Sequence, residues 1–545
     1  MILKVFSNCL LLLCLTSFGG IDAFSSPTLI VSSMQRHNNK ISTRNTKLFY
    51  NDDGAEKNAV LEKNSTFPLP IGDKEEETFS WTKQWYPVLP ETSVPNDEPI
   101  KISVLGKDLV IWKGKASEPT EDDEGGESKI QTSFVSVLDD SCPHRRAPLS
   151  TGKIVNGNQL ACRYHGWQFN GAGTCTEIPM DSKQRYANKF CTASYPAQIK
   201  GGLLWIFMDP TIGIPPPLPE EIVEDESNSA GWAMYISPVS YLSQIENSFD
   251  PTHTPFVHDG LWSFYSPENA IPIERYELTE AISENGFALE YTPYLKFSLP
   301  DHDKLAPIKF IPPCTVMTSH AHYLVPSKAG ETIILVPDTG YGVGQGGAIK
   351  TFLSKLKSKR LRSAMDDFFH FYFKVGDFLY KFKMQDQNIM QGQDVRKVKD
   401  NKWDDLTPTP SDNGVKAFQK WIRRYGGSGP FPLAELSAHD CKDESMWDYH
   451  GKYCVQCQAT IKRLARTEKA MQKLSTISMA SSLVGVGMIF LQQNSRLTTR
   501  LFVLAFLGIS AASRSVSHFC AKLIARAFVS TKSNAHLRTM EIYSK

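Results

Sequence analysis

The stretch from Cys142 to Trp167 opens with Cys142-Pro143-His144-Arg145 and closes with Cys162-Arg163-Tyr164-His165-Gly166-Trp167. Each of these two short segments offers one thiolate and one imidazole. A binuclear iron–sulfur cluster uses this set when two cysteines bind one iron and two histidines bind the other. The stretch therefore predicts a [2Fe-2S] site with the ligands Cys142, His144, Cys162 and His165.

A structural zinc ion with the same four ligands is the alternative, because thiolates and imidazoles also suit zinc. Zinc ligand pairs are usually separated by about two to four residues, whereas Pro143 alone separates Cys142 from His144. Gly166 and Trp167 follow the second pair and predict a tight turn covered by a large apolar ring. These features favour the iron–sulfur cluster.

The two cluster segments resemble those of the Rieske non-haem iron oxygenases. That resemblance implies an α+β chain, in which a small antiparallel β Rieske domain precedes a helix-grip-like α+β catalytic domain. Turn residues fit this fold, since Gly106-Lys107-Asp108 separates two β-rich runs and predicts a hairpin.

A second group of candidate ligands lies between Tyr241 and His258. His253 and His258 would point about 140° apart on a regular helix, so they converge on one metal only if the helix breaks between them. Pro255 predicts that break. Two neutral imidazoles and one carboxylate from elsewhere form the ligand set of Fe(II) oxygenases, which leaves coordination positions open.

The family resemblance extends to the residues before His253. Asp250 stands where these oxygenases have an acid that links a cluster histidine to an iron-binding histidine, and Glu246 and Asn247 stand beside the iron ligands as supporting residues. The resemblance implies that electrons pass through His165 and Asp250 to His253 across a subunit boundary in a homotrimer. A helix N-cap is the simpler role for Asp250.

The carboxylate ligand is expected farther along the chain. Apolar and aromatic residues from Phe368 to Phe382 predict a strong helix, and Asp386 follows it. Asp386 resembles the downstream aspartate of the family, and Asp394 is the second choice. A later segment, Pro410 to Gly426, predicts an amphipathic helix capped by Ser411 or Asp412.

Cys454 and Cys457 form a Cys-x-x-Cys pair after the predicted core. This pair resembles the tail of the pheophorbide a oxygenase group and predicts a dithiol that thioredoxin reduces. Two alternatives stay open. The pair is half of a zinc site completed by Cys441 and His450, or it consists of two inert thiols.

Two apolar segments near the end of the sequence predict membrane attachment. Thr476 to Gln493 has no charge and reaches the length of a spanning helix. Leu501 to Ser513 is shorter and is flanked by arginines, so it either spans or lies in the interface. Buried helices of a soluble protein are the alternative.

The N-terminal sequence predicts import into a plastid. Lys4 and the apolar run Cys9 to Leu15 are typical of a signal peptide, and Ala23 to Asn51 contains no Asp or Glu but repeated basic and hydroxyl residues, as in a transit peptide. This bipartite presequence indicates a plastid envelope or thylakoid membrane. A plainly secreted protein is the alternative, but an iron–sulfur core suits a reducing compartment better.

The net charge and the length of the chain indicate which partners and how many domains to expect. The 59 basic and 58 acidic residues leave a net charge of +1, so the composition does not support nucleic-acid binding. The 545 residues exceed what one core usually organises. We expect a presequence at 1–48, a linker at 49–80, the Rieske domain at 81–211, the catalytic domain at 212–430, a Cys-x-x-Cys segment at 431–470 and a membrane anchor at 471–545.

The resemblance implies a monooxygenase of the plastid branch, which takes electrons from a ferredoxin-type reductant and acts on a chlorophyll-derived tetrapyrrole. Another hydrophobic ring, such as a sterol or a carotenoid, is the alternative substrate. A redox or import-associated envelope protein without oxygenase turnover is the alternative class. The candidate iron ligands His253, His258 and Asp386 speak against that class, because an electron carrier needs no open metal site.

Overall fold

A computed structural model describes residues 79–114, 134–219, 231–261, 265–296, 305–338, 353–372, 374, 378–403, 407–436, 445–491 and 497–528. The predicted presequence lies outside these residues, as does the linker up to residue 78. Residues from Thr78 onward form one compact unit. Phe79 and Trp81 pack edge-on against Trp421, so the end of the predicted linker belongs to the folded protein.

The N-terminal part is built from short antiparallel strands. They form the sheets β1-β10-β9, β2-β3-β4 and β5-β6-β7-β8. The strands are β1 (Trp85–Pro90), β2 (Ile100–Val104), β3 (Lys107–Gly114), β4 (Phe134–Asp139), β5 (Lys153–Val155), β6 (Gln159–Ala161), β7 (Gln168–Phe169), β8 (Cys175–Glu177), β9 (Ala197–Lys200) and β10 (Leu203–Phe207).

The predicted hairpin forms, but its turn lies at Leu105 and Gly106, earlier than expected. Both residues have positive φ, of 50° and 75°, as two-residue hairpin turns that match the strand twist require. Their amides donate to the carbonyl oxygens of Pro326 and Ser327 at 2.8 and 2.7 Å. The turn therefore joins the N-terminal sheets to the larger sheet that follows.

That larger sheet has seven antiparallel strands in the order β11-β17-β16-β15-β14-β13-β12. Its strands are β11 (Trp232–Ser237), β12 (Tyr276–Ser283), β13 (Gly286–Tyr291), β14 (Ala306–Ile311), β15 (Thr315–Met317), β16 (Ala321–Lys328) and β17 (Glu331–Pro337). The described α-helices are α1 (Tyr241–Ser248), α2 (Thr254–Val257), α3 (Lys359–Phe371), α4 (Phe378–Lys399), α5 (Asn413–Arg424), α6 (Leu433–Leu436), α7 (Met446–Tyr449), α8 (Val455–Leu491) and α9 (Leu497–Phe528).

The amphipathic helix α5 packs on the large sheet. The rings of Phe418 and Trp421 meet Phe310 edge-on at 5.3 and 4.9 Å between centroids. Asp412 is the N-cap residue of α5, as one of the two predicted candidates, although its side chain makes no capping bond to α5. Its carboxylate instead accepts from the amide of Thr409 and closes a capping box around the 3₁₀ turn Pro410–Asp412 that leads into the helix.

The predicted helix from Phe368 to Phe382 begins within α3 and ends within α4, which the structure describes up to Phe371 and from Phe378. Residues 373 and 375–377 lie outside the described residues. Within this stretch, the buried ammonium of Lys374 pairs with Asp338, just beyond β17, at 3.1 Å. This contact ties the stretch to the sheet, which a pattern of apolar residues alone does not reveal.

Helices α8 and α9 form a long antiparallel hairpin. The hydroxyl of Ser475 on α8 donates to the carbonyl of Ser510 on α9 at 3.1 Å, and a Cβ on Gly485 would lie 2.6 Å from Val503. The predicted boundary at residues 470/471 falls inside α8, because the change from charged to apolar residues occurs within a continuous helix.

Both hairpin helices are long and apolar enough to cross a membrane, by length and composition. Their apolar windows are 17% and 28% buried inside the protein. Exposed side chains near the tip include Leu483, Phe490 and Leu504. This exposure argues against buried helices of a soluble protein.

A buried ion pair joins α1 to α4. The carboxylate of Glu246 accepts from the Lys397 ammonium at 2.7 Å and from the Gln419 amide on α5 at 2.8 Å. Removing one partner of a buried pair leaves an uncompensated charge, at a cost of about 3 kcal/mol. The pair therefore makes the junction of three helices sensitive to single substitutions.

We predict that Lys397→Met lowers the free energy of unfolding by about 3 kcal/mol, whereas the double variant Glu246→Gln, Lys397→Met recovers part of that loss because no buried charge remains. Denaturant unfolding of the wild type, both single variants and the double variant measures the coupling. Equal destabilisation by the single and double variants would contradict this account.

Candidate metal centres

The two predicted cluster loops have the same backbone conformation. In each, the cysteine amide donates to the carbonyl five residues later, Cys142 to Ala147 and Cys162 to Trp167. The amide four residues after each cysteine donates back to its carbonyl, and that residue has positive φ, 55° at Arg146 and 74° at Gly166. Such turns place each histidine beside its own cysteine at the tip of the small sheets.

The four side chains converge in the arrangement that a binuclear cluster needs. Cys142 and Cys162 are buried, and the imidazole rings of His144 and His165 lie 4.6 Å apart. Two thiols and two imidazoles at one place are the donor set of a Rieske-type cluster.

The surroundings of the loops also fit the cluster. The Nδ1 atom of His144 is buried and, among the described residues, has no hydrogen-bond partner, as a ligand atom requires. Trp167 stacks on His144 at 4.6 Å with 5° between the ring planes. Burial raises the pKa of the Cys142 thiol to about 11, and nearby Cys162 adds to the effect, so metal binding must displace a proton.

Tyr164 does not pack into the core. Its side chain is 60% exposed, and its ring contacts His165 at 3.9 Å between centroids. The tyrosine therefore covers one edge of a cluster histidine while its hydroxyl faces outward.

His253 and His258 lie at the two ends of one short helical turn. The 3₁₀ helix Pro251–His253 runs directly into α2, and His258 follows the last residue of α2. Pro255 does not break a longer helix as expected. It occupies the first turn of α2, where a missing amide hydrogen costs nothing, and the change from 3₁₀ to α geometry at His253 reorients the two rings.

Asp386 on α4 lies beside both imidazoles, where the predicted third ligand is needed. Its Oδ1 atom lies 3.5 Å from His253 Nε2 and 3.1 Å from His258 Nε2. His258 and Asp386 are buried. Among the described residues the buried Oδ1 atom has no hydrogen-bond partner, which fits an oxygen that binds a metal. The three residues match a mononuclear iron site with open positions.

Each histidine is oriented by a bond at its other nitrogen. His258 Nδ1 donates to the amide oxygen of Gln385 at 3.0 Å, and His253 Nδ1 donates to the carbonyl of Asp250. These bonds place the ring hydrogen on Nδ1 of each histidine, which is the tautomer that binds a metal through Nε2. Sequence reasoning missed Gln385, although its position beside Asp386 is the signal.

The carboxylate of Asp250 caps the 3₁₀ turn. Its Oδ1 accepts from the amide and hydroxyl of Thr252 at 3.1 and 2.7 Å, and its Oδ2 lies 3.9 Å from His253 Nδ1. The side chain is 38% exposed. Asp250 therefore combines the predicted capping role with an oxygen that a neighbouring molecule can reach.

The other predicted carboxylates lie elsewhere. Glu246 is engaged by Lys397 and Gln419, so its direct role is to join helices, and support of the iron ligands by Glu246 and Asn247 stays a prediction. Asp394 accepts from the amide and hydroxyl of Ser240, the N-cap residue of α1, at 2.8 and 2.7 Å. Asp386, and not Asp394, therefore meets the two histidines.

The Cys-x-x-Cys pair lies in a second group, which consists of four side chains that can bind a metal. Cys454 and Cys457 are joined there by His450 and by His370 on α3. A hydrogen bond from Cys457, together with His450 and His370, lowers the pKa of Cys454, whereas burial raises the pKa of Cys457. His370 was missed, and Cys441, the predicted partner, lies outside the described residues.

Comparison with known proteins agrees with this geometry. The Rieske [2Fe-2S] domain family matches residues 84–196. Flavonoid 8-hydroxylase 2 of Ocimum basilicum is 25% identical over 76% of this chain and 80% of its own length. Pheophorbide a oxygenase of Oryza sativa is 26% identical over 73% and 77%, and Protein TIC 55 of Pisum sativum is 27% identical over 70% and 64%. All three are chloroplast proteins.

We predict that His253→Ala, His258→Ala and Asp386→Ala each lower the iron content from about three to about two per chain, because a three-ligand site does not survive the loss of one ligand. Gln385→Leu should weaken iron binding by about 10- to 100-fold. Elemental analysis, with the cluster's EPR signal as the measure of intact fold, provides the test.

The matched control is Asp394→Ala, which removes a carboxylate from the same helix. It should cost about 2 kcal/mol of stability, because Ser240 and Ser243 lose their hydrogen bonds to a charged carboxylate, and it should keep all of the iron. Loss of the mononuclear iron in Asp394→Ala but not in Asp386→Ala would show that the third ligand is misassigned.

Proposed function

We propose that this chain, which belongs to the Rieske non-haem iron oxygenase family, oxygenates a chlorophyll-derived tetrapyrrole at a plastid membrane. The observation that carries the proposal is the convergence of His253, His258 and Asp386 in a chain that also has a Rieske domain. An electron carrier needs the cluster alone, whereas a three-residue site with open positions serves oxygen chemistry.

The residues present suit both groups that the family implies. When bound, the cluster would supply single electrons and the ferrous ion would supply a site for O2 beside the substrate. Asp386, His253 and His258 would hold the iron on one face. Gln385 and the Asp250 carbonyl would keep the imidazoles in the required tautomer, and their bonds would resist rotation of the rings during turnover.

Asp250 supports a further part of the proposal, a trimer in which the cluster of one chain faces the iron of the next. Its Oδ2 atom is near His253, and the side chain is partly exposed. In such an assembly the carboxylate would accept a hydrogen bond from His165 of the neighbouring chain. Asp250 would then orient two imidazoles at once.

The cluster tip supports a ferredoxin-type reductant as electron donor. Arg145, Arg146 and Arg163 are all exposed beside the cluster ligands. A basic rim of this kind attracts an acidic redox partner and steers its approach. The net charge of the whole chain is only +1, so the attraction is local to this tip.

The substrate class follows from the relatives and from the hairpin. Two relatives are named for flat ring substrates, a flavonoid and pheophorbide a. The exposed apolar tip of α8 and α9 favours a substrate that partitions into membranes, which a chlorophyll-derived ring does better than a flavonoid. Flavonoids, sterols and carotenoids are the competing outcomes.

Location in a plastid rests on the chloroplast relatives and on the composition of residues 1–48. The alternative is a redox or import-associated protein of the plastid envelope that has no oxygenase turnover. The relative Protein TIC 55 is not named for an oxygenase activity, so it is compatible with this alternative. The site residues distinguish the two, because that alternative gives no role to Asp386.

The direct test is anaerobic binding of candidate substrates to the reduced full-length protein, followed by addition of O2 and mass analysis of the products. We expect one oxygen atom from ¹⁸O2 to enter pheophorbide a or chlorophyllide a, and no incorporation with Asp386→Ala. A labelled flavonoid product with unchanged tetrapyrroles would overturn the substrate proposal. No O2 consumption with any of these rings would favour the redox protein.

Substitution of Asp250 tests the proposed trimer contact. Asp250→Asn should retain both metal sites but lose multiple turnover by at least about 100-fold. The carboxamide has a single acceptor oxygen, which Thr252 occupies, so His165 of the neighbouring chain would lose its acceptor. Single-turnover assays of pre-reduced protein, metal analysis and the cluster EPR signal separate this effect from loss of iron. Thr252→Val removes the hydroxyl bond to Asp250 and serves as control, since it should keep turnover.

Membrane attachment is testable by removing the hairpin tip. Since Ser475 and Ser510 are in contact, residues 477–508 can be replaced by a short Gly-Ser loop without disturbing the base. This variant, and Leu483→Glu with Phe490→Glu, should release the protein from membranes with its iron intact. Ile214→Glu, at a residue that is 90% exposed outside the hairpin, should not. Continued resistance of the tip deletion to carbonate extraction would place the anchor elsewhere.

A further inference from the structure

We propose that His370, His450, Cys454 and Cys457 form a zinc site that fastens the base of the α8–α9 hairpin to the catalytic domain. The four residues come from separate elements. His370 lies in α3, His450 follows α7, Cys454 precedes α8, and Cys457 lies in its first turn. One metal ion at their meeting point would join all of these elements.

The distances fit one metal ion. One ligand atom from each residue lies within 4.8 Å of the others, and Cys454 Sγ is 3.3 Å from His370 Nε2. Tetrahedral zinc with usual bond lengths separates its ligand atoms by roughly 3.3–3.8 Å. Small side-chain movements would therefore complete the site.

His450 is already oriented as a ligand. Its Nδ1 donates to the carbonyl of Met234 on β11 at 2.7 Å, so Nε2 carries the lone pair. That Nε2 atom is buried and has no hydrogen-bond partner in the described part of the chain. Tyr235 stacks on the imidazole at 4.7 Å and limits its rotation. A buried acceptor of this kind is costly unless it binds something.

His370 has a carboxylate behind it. Asp338 lies 3.8 Å from His370 Nδ1 and is itself held by Lys374. Metal-binding histidines commonly direct the second nitrogen to a carboxylate or to a backbone carbonyl. His370 has the carboxylate of Asp338 at this nitrogen, and His450 has the backbone carbonyl of Met234.

The donor set favours zinc over other metals. Two thiolates and two imidazoles in a closed site are typical of structural zinc, whereas magnesium and calcium prefer oxygen. Two thiolates also cancel the charge of Zn²⁺, so a buried site would be neutral. His370, His450 and Cys457 are buried, and Cys454 is half-buried.

A thioredoxin-sensitive dithiol explains the cysteines but leaves the two oriented histidines without a role. The half-buried Cys454 would satisfy the need of a dithiol for one accessible sulfur, so the histidines are the feature that distinguishes the two readings. The geometry therefore favours the metal over a reversible disulfide between Cys454 and Cys457.

Metal analysis of the detergent-purified full-length protein tests the site. We expect about one zinc per chain beyond the iron, loss of that zinc in Cys457→Ser and in His370→Gln, and its retention in Asp386→Ala, which empties the other site. Cys191→Ser and His320→Gln are matched controls at exposed residues and should keep the zinc. Retained cluster EPR shows that the variants fold.

Alkylation of the wild type provides a second measurement that needs no variant. With zinc bound, Cys454 and Cys457 should react with iodoacetamide only after a zinc chelator is added, and Co²⁺ in place of zinc should give the visible bands of a tetrahedral thiolate site. Protein without zinc, whose two cysteines react only after a reductant is added, would overturn the proposal in favour of the dithiol.

Discussion

The contact between α4 and α1 is the constraint on which the catalytic part depends. Asp394 accepts from Ser240 and Ser243 at the start of α1, and Lys397 pairs with Glu246 in the last turn of α1. Asp394 and Lys397 lie on α4, the helix that also carries Asp386. Because α1 leads directly to the turn with His253 and His258, the same docking sets the separation of the histidines from the third ligand.

This constraint explains which parts of the site could be predicted. The cluster ligands and the two iron-site histidines lie in short local motifs, so their chemistry is visible in the sequence. Asp386 is remote, and its distinction from Asp394 depends on the rotation of α4 about its axis. The family resemblance favours Asp386, and the packed helix supplies the physical reason, since Asp394 accepts from Ser240 and Ser243 while Asp386 meets the imidazoles.

The same reason accounts for what was missed. His370 precedes His450 by 80 residues and lies in an aromatic helix, so no local pattern marks it as a partner of the cysteines. Pro255 was assigned a helix break, although it starts a helical turn, because proline in the first turn and proline in the interior look alike in sequence. Long-range packing decides each of these cases. The fold class, which the resemblance of the cluster segments to a known family implied, is confirmed.

The inner and outer faces of the α8–α9 hairpin differ in polarity. The inner face is made of small and hydroxyl residues, including Ser478, Ser482, Gly485 and Ser513, which allow the helices to approach closely. The outer face near the tip is apolar and uncovered. A soluble helix pair buries its apolar face and exposes hydroxyl groups, so the reversed arrangement is stable only where the surroundings are themselves apolar. The base, in contrast, is packed against α3 and α7, so with the hairpin tip in a membrane, as proposed above, the folded core would be held at a set distance from the bilayer.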